Sequence, residues 1–250
     1  MIIRAYGLLS YLFAMTVFVV FILFTNNHLG VLGIPALLPL NIDQLNGSPS
    51  EFPLIINLVL LLLFGLQHSV MARGPFKDWL TRLMPESAER STYVLMTGVV
   101  MLLIVLFWQP MTSVIWRAES EALRVALTVL FFVGWTITFL ATFMLNHFHL
   151  FGLQQSFNHE DPDAGAKVFK TPLFYRLVRH PIQTGIVIAM VATPDLTVGR
   201  ALLGGGMLVY VAIGLYFEEK DLLAFFGDTY RDYKSRVPGV IPGLKGRGGS

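Results

Sequence analysis

Long, almost uncharged apolar runs constrain this chain more than any other feature. They cover residues 5–24, 52–70, 93–110, 123–145, 182–194 and 198–217. A run of about 20 such residues spans a bilayer as a helix, because in hydrocarbon every backbone N–H and C=O must be satisfied inside the segment. Charged residues make up 14% of the 250, against roughly 25% in a soluble domain. That is too few to cover an ordinary water-facing surface. The chain therefore reads as an all-α integral membrane protein.

No extended linker interrupts it, so residues 1–245 are taken as one membrane-embedded domain, and the Gly-Arg-Gly-Gly-Ser tail at 246–250 is set aside. Residues 5–145 are expected to form four transmembrane helices, and 146–181 a cytoplasmic connector. The run at 182–194 has about 13 residues, too short to cross unaided. Residues 182–217 are accordingly expected to fold as a helical hairpin, giving a bundle of five to six spans. Beyond it, Leu222, Leu223, Phe226, Tyr230, Tyr233 and Val237 recur at three- and four-residue steps among charges. This pattern predicts an amphipathic cytoplasmic helix over 218–237. The first run is long for the apolar core of a signal peptide, and Thr25-Asn26-Asn27-His28 offers no small-residue cleavage site, so a retained first helix is expected. The absence of cysteine removes disulfides, thiolate metal sites and a cysteine nucleophile.

Basic residues set the orientation. Arg73, Lys77, Arg82 and Arg90 follow the second run, Lys167, Lys170, Arg176 and Arg179 the fourth, and Lys220, Arg231, Lys234 and Arg236 close the chain. Residues 25–51 have no Lys or Arg. The positive-inside rule then places both termini in the cytoplasm. On that orientation Gln67, His68, Tyr93, Asn146, His147, Arg179, His180, Glu218 and Glu219 all fall at cytoplasmic helix ends. Singly, a helix-end histidine is ordinarily an interfacial residue and Arg179 a topology anchor. Gathered on one face, these groups predict a polar pocket open to the cytoplasm.

Arg179-His180-Pro181, Gly185, Glu218-Glu219, Phe226-Gly227-Asp228-Thr229-Tyr230-Arg231-Asp232-Tyr233 and Val237-Pro238 form an ordered set. It resembles the C-terminal signature of the isoprenylcysteine carboxyl methyltransferase and phospholipid methyltransferase superfamily, with Gln183 standing where that superfamily usually has Tyr. The blocks Gln67-His68-Ser69-Val70-Met71-Ala72-Arg73, Glu89-Arg90-Ser91-Thr92-Tyr93-Val94-Leu95, Phe107-Trp108-Gln109-Pro110 and Asn146-His147-Phe148-His149-Leu150-Phe151-Gly152-Leu153 are similar to the bacterial methanethiol S-methyltransferases and the related NnrU-like proteins.

The resemblance implies methyl transfer from S-adenosylmethionine to methanethiol, giving dimethyl sulfide and S-adenosylhomocysteine, in a bacterial inner membrane. It assigns the methyl donor to Arg179, His180, Pro181, Gly185, Glu218 and Glu219, with Gly185 allowing close backbone approach. A thiol must lose its proton before or during attack. His147 and His68 are the candidate bases, His147 marginally preferred. Asn146 is counted with His147, Arg73 as a thiolate partner and Tyr93 as an orienting group. Methanethiol and membrane lipids are the expected partners; no metal, nucleic acid or obligate protein partner is expected. Another thiol, a lipid or an isoprenylcysteine carboxylate remains open as acceptor. A membrane haem or metal protein using His68, His147 and His180 is a rival of a different class, and a transporter a weaker one, since no inverted repeat is visible.

Overall fold

The computed structural model describes residues 1–26, 28–35, 41–44, 50–157 and 169–243. Lys167 and the tail at 246–250 lie outside those residues. In chain order come α1 (Ile2–Thr25), α2 (Pro53–Met71), α3 (Gly74–Leu80), α4 (Glu86–Phe107), strand β1 (Val114–Arg117) and α5 (Glu121–Met144). Then follow α6 (His147–Leu150), α7 (Leu153–Ser156), α8 (Pro181–Val191), strand β2 (Asp195–Thr197), α9 (Val198–Phe226) and α10 (Asp228–Arg236). Helices α1, α2, α4, α5 and α9 are long and apolar enough to cross a membrane. The protein is thus a multi-pass, all-α membrane bundle, with a short antiparallel β1–β2 ribbon as its sheet.

Local sequence explains the boundaries. Pro53 opens α2, where its missing N–H costs nothing. The side chains of Ser120 and Thr197 accept from the amides of Leu123 and Arg200, capping α5 and α9. Helix α8 stops after 11 residues, just before Pro194. It spans about 16 Å, half a bilayer. Helix α9 runs for 29 residues, about 43 Å, so residues 218–226 continue the span rather than begin a new element. The helix expected over 218–237 is therefore divided. Gly227, at φ 56°, turns the chain between α9 and α10.

The helices pair as α1 with α4, α2 with α4, α5 with α8 and α8 with α9. The α5–α8 contact is a backbone approach. A Cβ at Gly185 would lie 2.3 Å from the Gly134 carbonyl oxygen, and one at Gly134 would lie 2.6 Å from that of Gly185. Phe21, Ile104, Phe131, Trp135 and Leu203 fill the core between the helices.

One end of the bundle is closed by an ionic clasp. Asp195 in β2 accepts from Arg117 at 2.9 Å and from both terminal nitrogens of Arg124 at 2.9 and 2.8 Å. His28, after α1, lies 3.4 Å from the same carboxylate. Alongside, Arg200 donates to Asp43 at 3.0 Å, and Thr197 donates to it at 2.7 Å. The hydrogen bond from Arg124, then nearby positive charge, holds the Asp195 carboxyl at about 2, against burial. Burial and the Arg200 charge push His28 down to about 4.

Candidate functional site

At the other end a cavity of about 890 Å³ opens between the helices. Its mouth carries Arg73, Arg90, Gln183, Glu218 and Asp221. His68, Tyr93, Thr97 and Tyr210 stand further in, and Phe18, Met101, Trp135 and Met207 line the inner part. The polar-to-apolar gradient follows the helices. On α9, Tyr210, Gly214, Glu218 and Asp221 share a face at helical spacing, and the polar members lie toward the C-terminal end.

His68 is held in one tautomer. The Thr97 hydroxyl donates to the Tyr93 carbonyl at 2.9 Å, so towards His68 Nδ1, at 3.2 Å, it accepts. Nδ1 therefore carries the hydrogen. Nε2 is left as an acceptor for the Tyr93 hydroxyl, 2.8 Å away. Phe64 stacks on the imidazole at 5.4 Å and 14°. The Arg90 guanidinium lies 4.8 Å from the Tyr93 ring centre. Arg73 lies over Phe217 at 4.7 Å and 3.8 Å from Asp221.

His147 repeats the pattern away from the cavity. Thr142 donates to the Phe139 carbonyl at 2.6 Å and accepts from His147 Nδ1 at 2.7 Å; Tyr11 donates to Nε2 at 2.9 Å. The ring is 2% exposed and stacks on Phe143 at 4.1 Å. Burial lowers its pKa. It does not line the cavity, so the structure puts the preferred sequence candidate behind the wall. Asn146, in the left-handed region at φ 70°, caps α6 and donates to Gln154 at 3.0 Å. Both contacts are with neighbours in its own segment.

The Arg-His-Pro and Glu-Glu blocks meet as expected, but the two glutamates differ. Glu219 is enclosed: Arg179 donates to it through Nε at 2.8 Å and also through Nη2, His180 Nε2 lies at 3.1 Å, and Lys234 at 2.6 Å. Arg179 also donates to the Val237 carbonyl at 2.6 Å. These contacts bind α10 and the chain after it to the start of α8. Burial pulls His180 down in pKa, but hydrogen bonds and charge from Glu218 and Glu219 outweigh it, and the net direction is up. Glu218 is 46% exposed, accepts from Gln183 at 3.2 Å and faces the cavity. Pro181 is buried as the first residue of α8. Gly185 is spent on α5, so the backbone contact to a cofactor expected there is replaced by helix packing.

Thr97, Tyr210 and Asp221 went unmarked by the sequence motifs. Their signal was spacing: Thr97 lies one turn after Tyr93, and Tyr210 two turns before Glu218. Among the described residues no three His, Asp or Glu are grouped as metal ligands. His68, His147 and His180 occupy three separate hydrogen-bonded settings.

Residues 56–236 match the model of the family described as NnrU protein. The chain is 43% identical to a methanethiol S-methyltransferase of Mycobacterium tuberculosis, over 95% of this chain and 94% of that protein. It is 41% identical to methanethiol S-methyltransferase 1 of Bradyrhizobium diazoefficiens, over 96% of this chain and 84% of that one. Nurim of Bos taurus is more distant, at 29% identity over 68% of each chain. No solved structure matches significantly.

Proposed function

Because the chain belongs to the NnrU family, we propose that it methylates methanethiol with S-adenosylmethionine at the cavity mouth, releasing dimethyl sulfide and S-adenosylhomocysteine. The observation that carries this reading is the Tyr93–His68–Thr97 array facing a cavity, in a chain whose relatives bear that enzyme's name.

The residues suit the donor. Its amino-acid end is zwitterionic and its ribose has two hydroxyls, and the mouth presents carboxylates (Glu218, Asp221) beside guanidiniums (Arg73, Arg90). Glu218 is the acceptor for the hydroxyls or the ammonium, and Arg73 the partner for the carboxylate. Arg179, His180 and Glu219 hold the wall behind them. When bound, S-adenosylmethionine supplies a methyl group on a positively charged sulfur, which a thiolate displaces.

The chain's own part is to make and place that thiolate. Tyr93 Oη accepts the thiol proton while its own proton passes to His68 Nε2. The imidazolium keeps its Nδ1–H on Thr97, and the phenol is restored. The Arg73 and Arg90 charges favour the anion. The apolar interior excludes water, which stabilises the charge-neutralising transition state relative to solvated ions. Basic residues around the mouth support placing it and both termini on the cytoplasmic side of a bacterial inner membrane. The chemistry calls for no protein partner.

The test is methyl transfer by detergent-purified protein given both substrates, read as headspace dimethyl sulfide and S-adenosylhomocysteine in equal amounts. Donor binding without either product would overturn the acceptor. Folded protein that does not bind the donor would overturn the whole reading. The cavity is larger than methanethiol requires, and the same assay with longer alkanethiols tests a wider acceptor range.

A further inference from the structure

Resting on that reading, we propose that Tyr210, with Phe64 beside it, forms the sulfonium subsite and makes the enzyme discriminate the charged methyl donor from its neutral product. Tyr210 lies on α9 two turns inward from Glu218 on the same cavity-lining face. Its ring meets Phe64 at 5.6 Å and 70° and His68 at 5.9 Å and 75°. Ser69 donates to its hydroxyl at 3.4 Å, fixing the ring against α2. The way in from the mouth is open, because a side chain at Gly214, one turn from both Tyr210 and Glu218, would meet nothing within 4 Å.

Charge placement gives the argument. Among the described residues, the carboxylates lining the cavity are Glu218 and Asp221, both at the mouth. At the level of His68, where the thiolate forms, the lining offers rings and hydroxyls, with the Arg90 guanidinium resting on the Tyr93 ring. A donor whose polar groups occupy the mouth places its sulfur at this level. There the cation loses water and is met by aromatic faces, whose quadrupoles attract it. Arg90 already sits over Tyr93 at 4.8 Å, and His68 covers one face of Phe64. Of the three rings packed against His68, Tyr210 is the one left to bear most of this contact.

The choice of ring over carboxylate has a kinetic consequence. A full anion beside the sulfonium would stabilise the reactant charge that the transition state loses, and so slow the reaction. A ring holds the cation more lightly. Once the methyl has gone, the neutral thioether keeps little of that attraction, which favours its exit.

The experiment compares equilibrium binding of S-adenosylmethionine and S-adenosylhomocysteine by the full-length purified protein and by Tyr210→Leu, Tyr210→Phe and Phe64→Leu. Tyr210→Leu is expected to weaken S-adenosylmethionine by roughly 3- to 30-fold, with S-adenosylhomocysteine changed by less than about twofold. Tyr210→Phe, which keeps the ring, should leave both affinities near wild type. Phe64→Leu should shift the ratio in the same direction, and it carries the test if Tyr210→Leu does not fold. Equal weakening of both ligands, or of neither, would overturn the subsite while leaving the methyl-transfer reading standing. Wild-type protein that binds neither ligand would overturn both.

Discussion

His68 and His147 are held by the same three contacts, a threonine on Nδ1, a tyrosine on Nε2 and a phenylalanine stacked on the ring. Of the two pairs, His68–Tyr93 lines the cavity and Tyr11–His147 does not, and on the proposed function that divides a catalytic pair from a packing pair. His68→Gln and Tyr93→Phe are each expected to lower kcat by about 100-fold or more, the usual scale of general-base loss. His147→Gln should leave kcat within about threefold and lower the unfolding temperature, because it strips a buried, fully bonded group of its partners. Turnover and melting curves on the three variants decide the matter, and a loss of turnover confined to His147→Gln would reverse the assignment. The glutamates divide the same way. Glu218→Gln should raise the KM for the methyl donor in folded protein, whereas Glu219→Gln should first destabilise the fold, since it leaves Arg179 and His180 buried without their anion. Their places at helix ends were readable in the sequence. The sequence was blind to their division of labour, because motif order carries no information on which of two adjacent carboxylates turns inward.

Helices α5 and α8 touch through Gly134 and Gly185, and here a glycine legible as a motif residue has a packing reason. A methyl at 185 would meet the Gly134 carbonyl oxygen at 2.3 Å, a backbone atom that cannot rotate aside. Gly185→Ala is therefore expected to cost about 1–3 kcal/mol through overpacking, read as a drop in thermal midpoint. Gly205→Ala is the matched control within α9, where an added Cβ meets nothing within 4 Å. There the better helix propensity should raise stability by about 0.5–1 kcal/mol. A Gly185→Ala protein as stable as wild type would show that the two helices have room to part. The spans themselves were readable from hydropathy, as was the shortness of α8. The continuous period at 218–237 hid the break at Gly227, because apolar residues on either side of a sharp turn keep their three- and four-residue spacing whether or not one helix carries them all.

The whole molecule is open at its polar end and clasped at the other, and the clasp draws together chain from three connections: His28 and Asp43 between α1 and α2, Arg117 between α4 and α5, and Asp195 between α8 and α9, with Arg124 and Arg200 from the adjoining helix starts. Hydropathy could not show this convergence, since its members are scattered over three connections and two helix starts far apart in sequence. Acid should loosen it by a definite route. Asp195 keeps its charge down to about 2, so it stays a partner through the mildly acidic range. His28 is different: its pKa falls from an ordinary 6.5 to about 4 in the folded protein, chiefly by burial, with Arg200 and Arg124 opposing its protonation and Asp195 and Asp43 only partly offsetting them. Between those two values the unfolded chain binds the extra proton and the folded one does not, so stability must rise with pH across that window and fall as pH drops through it. The shift corresponds to a loss on the order of 3 kcal/mol once pH reaches the lower value. Melting of the detergent-solubilised protein between pH 7 and pH 4 is expected to show that decline. His28→Gln, which cannot titrate, should flatten the curve; an unchanged acid limb in that variant would place the sensitivity elsewhere in the molecule.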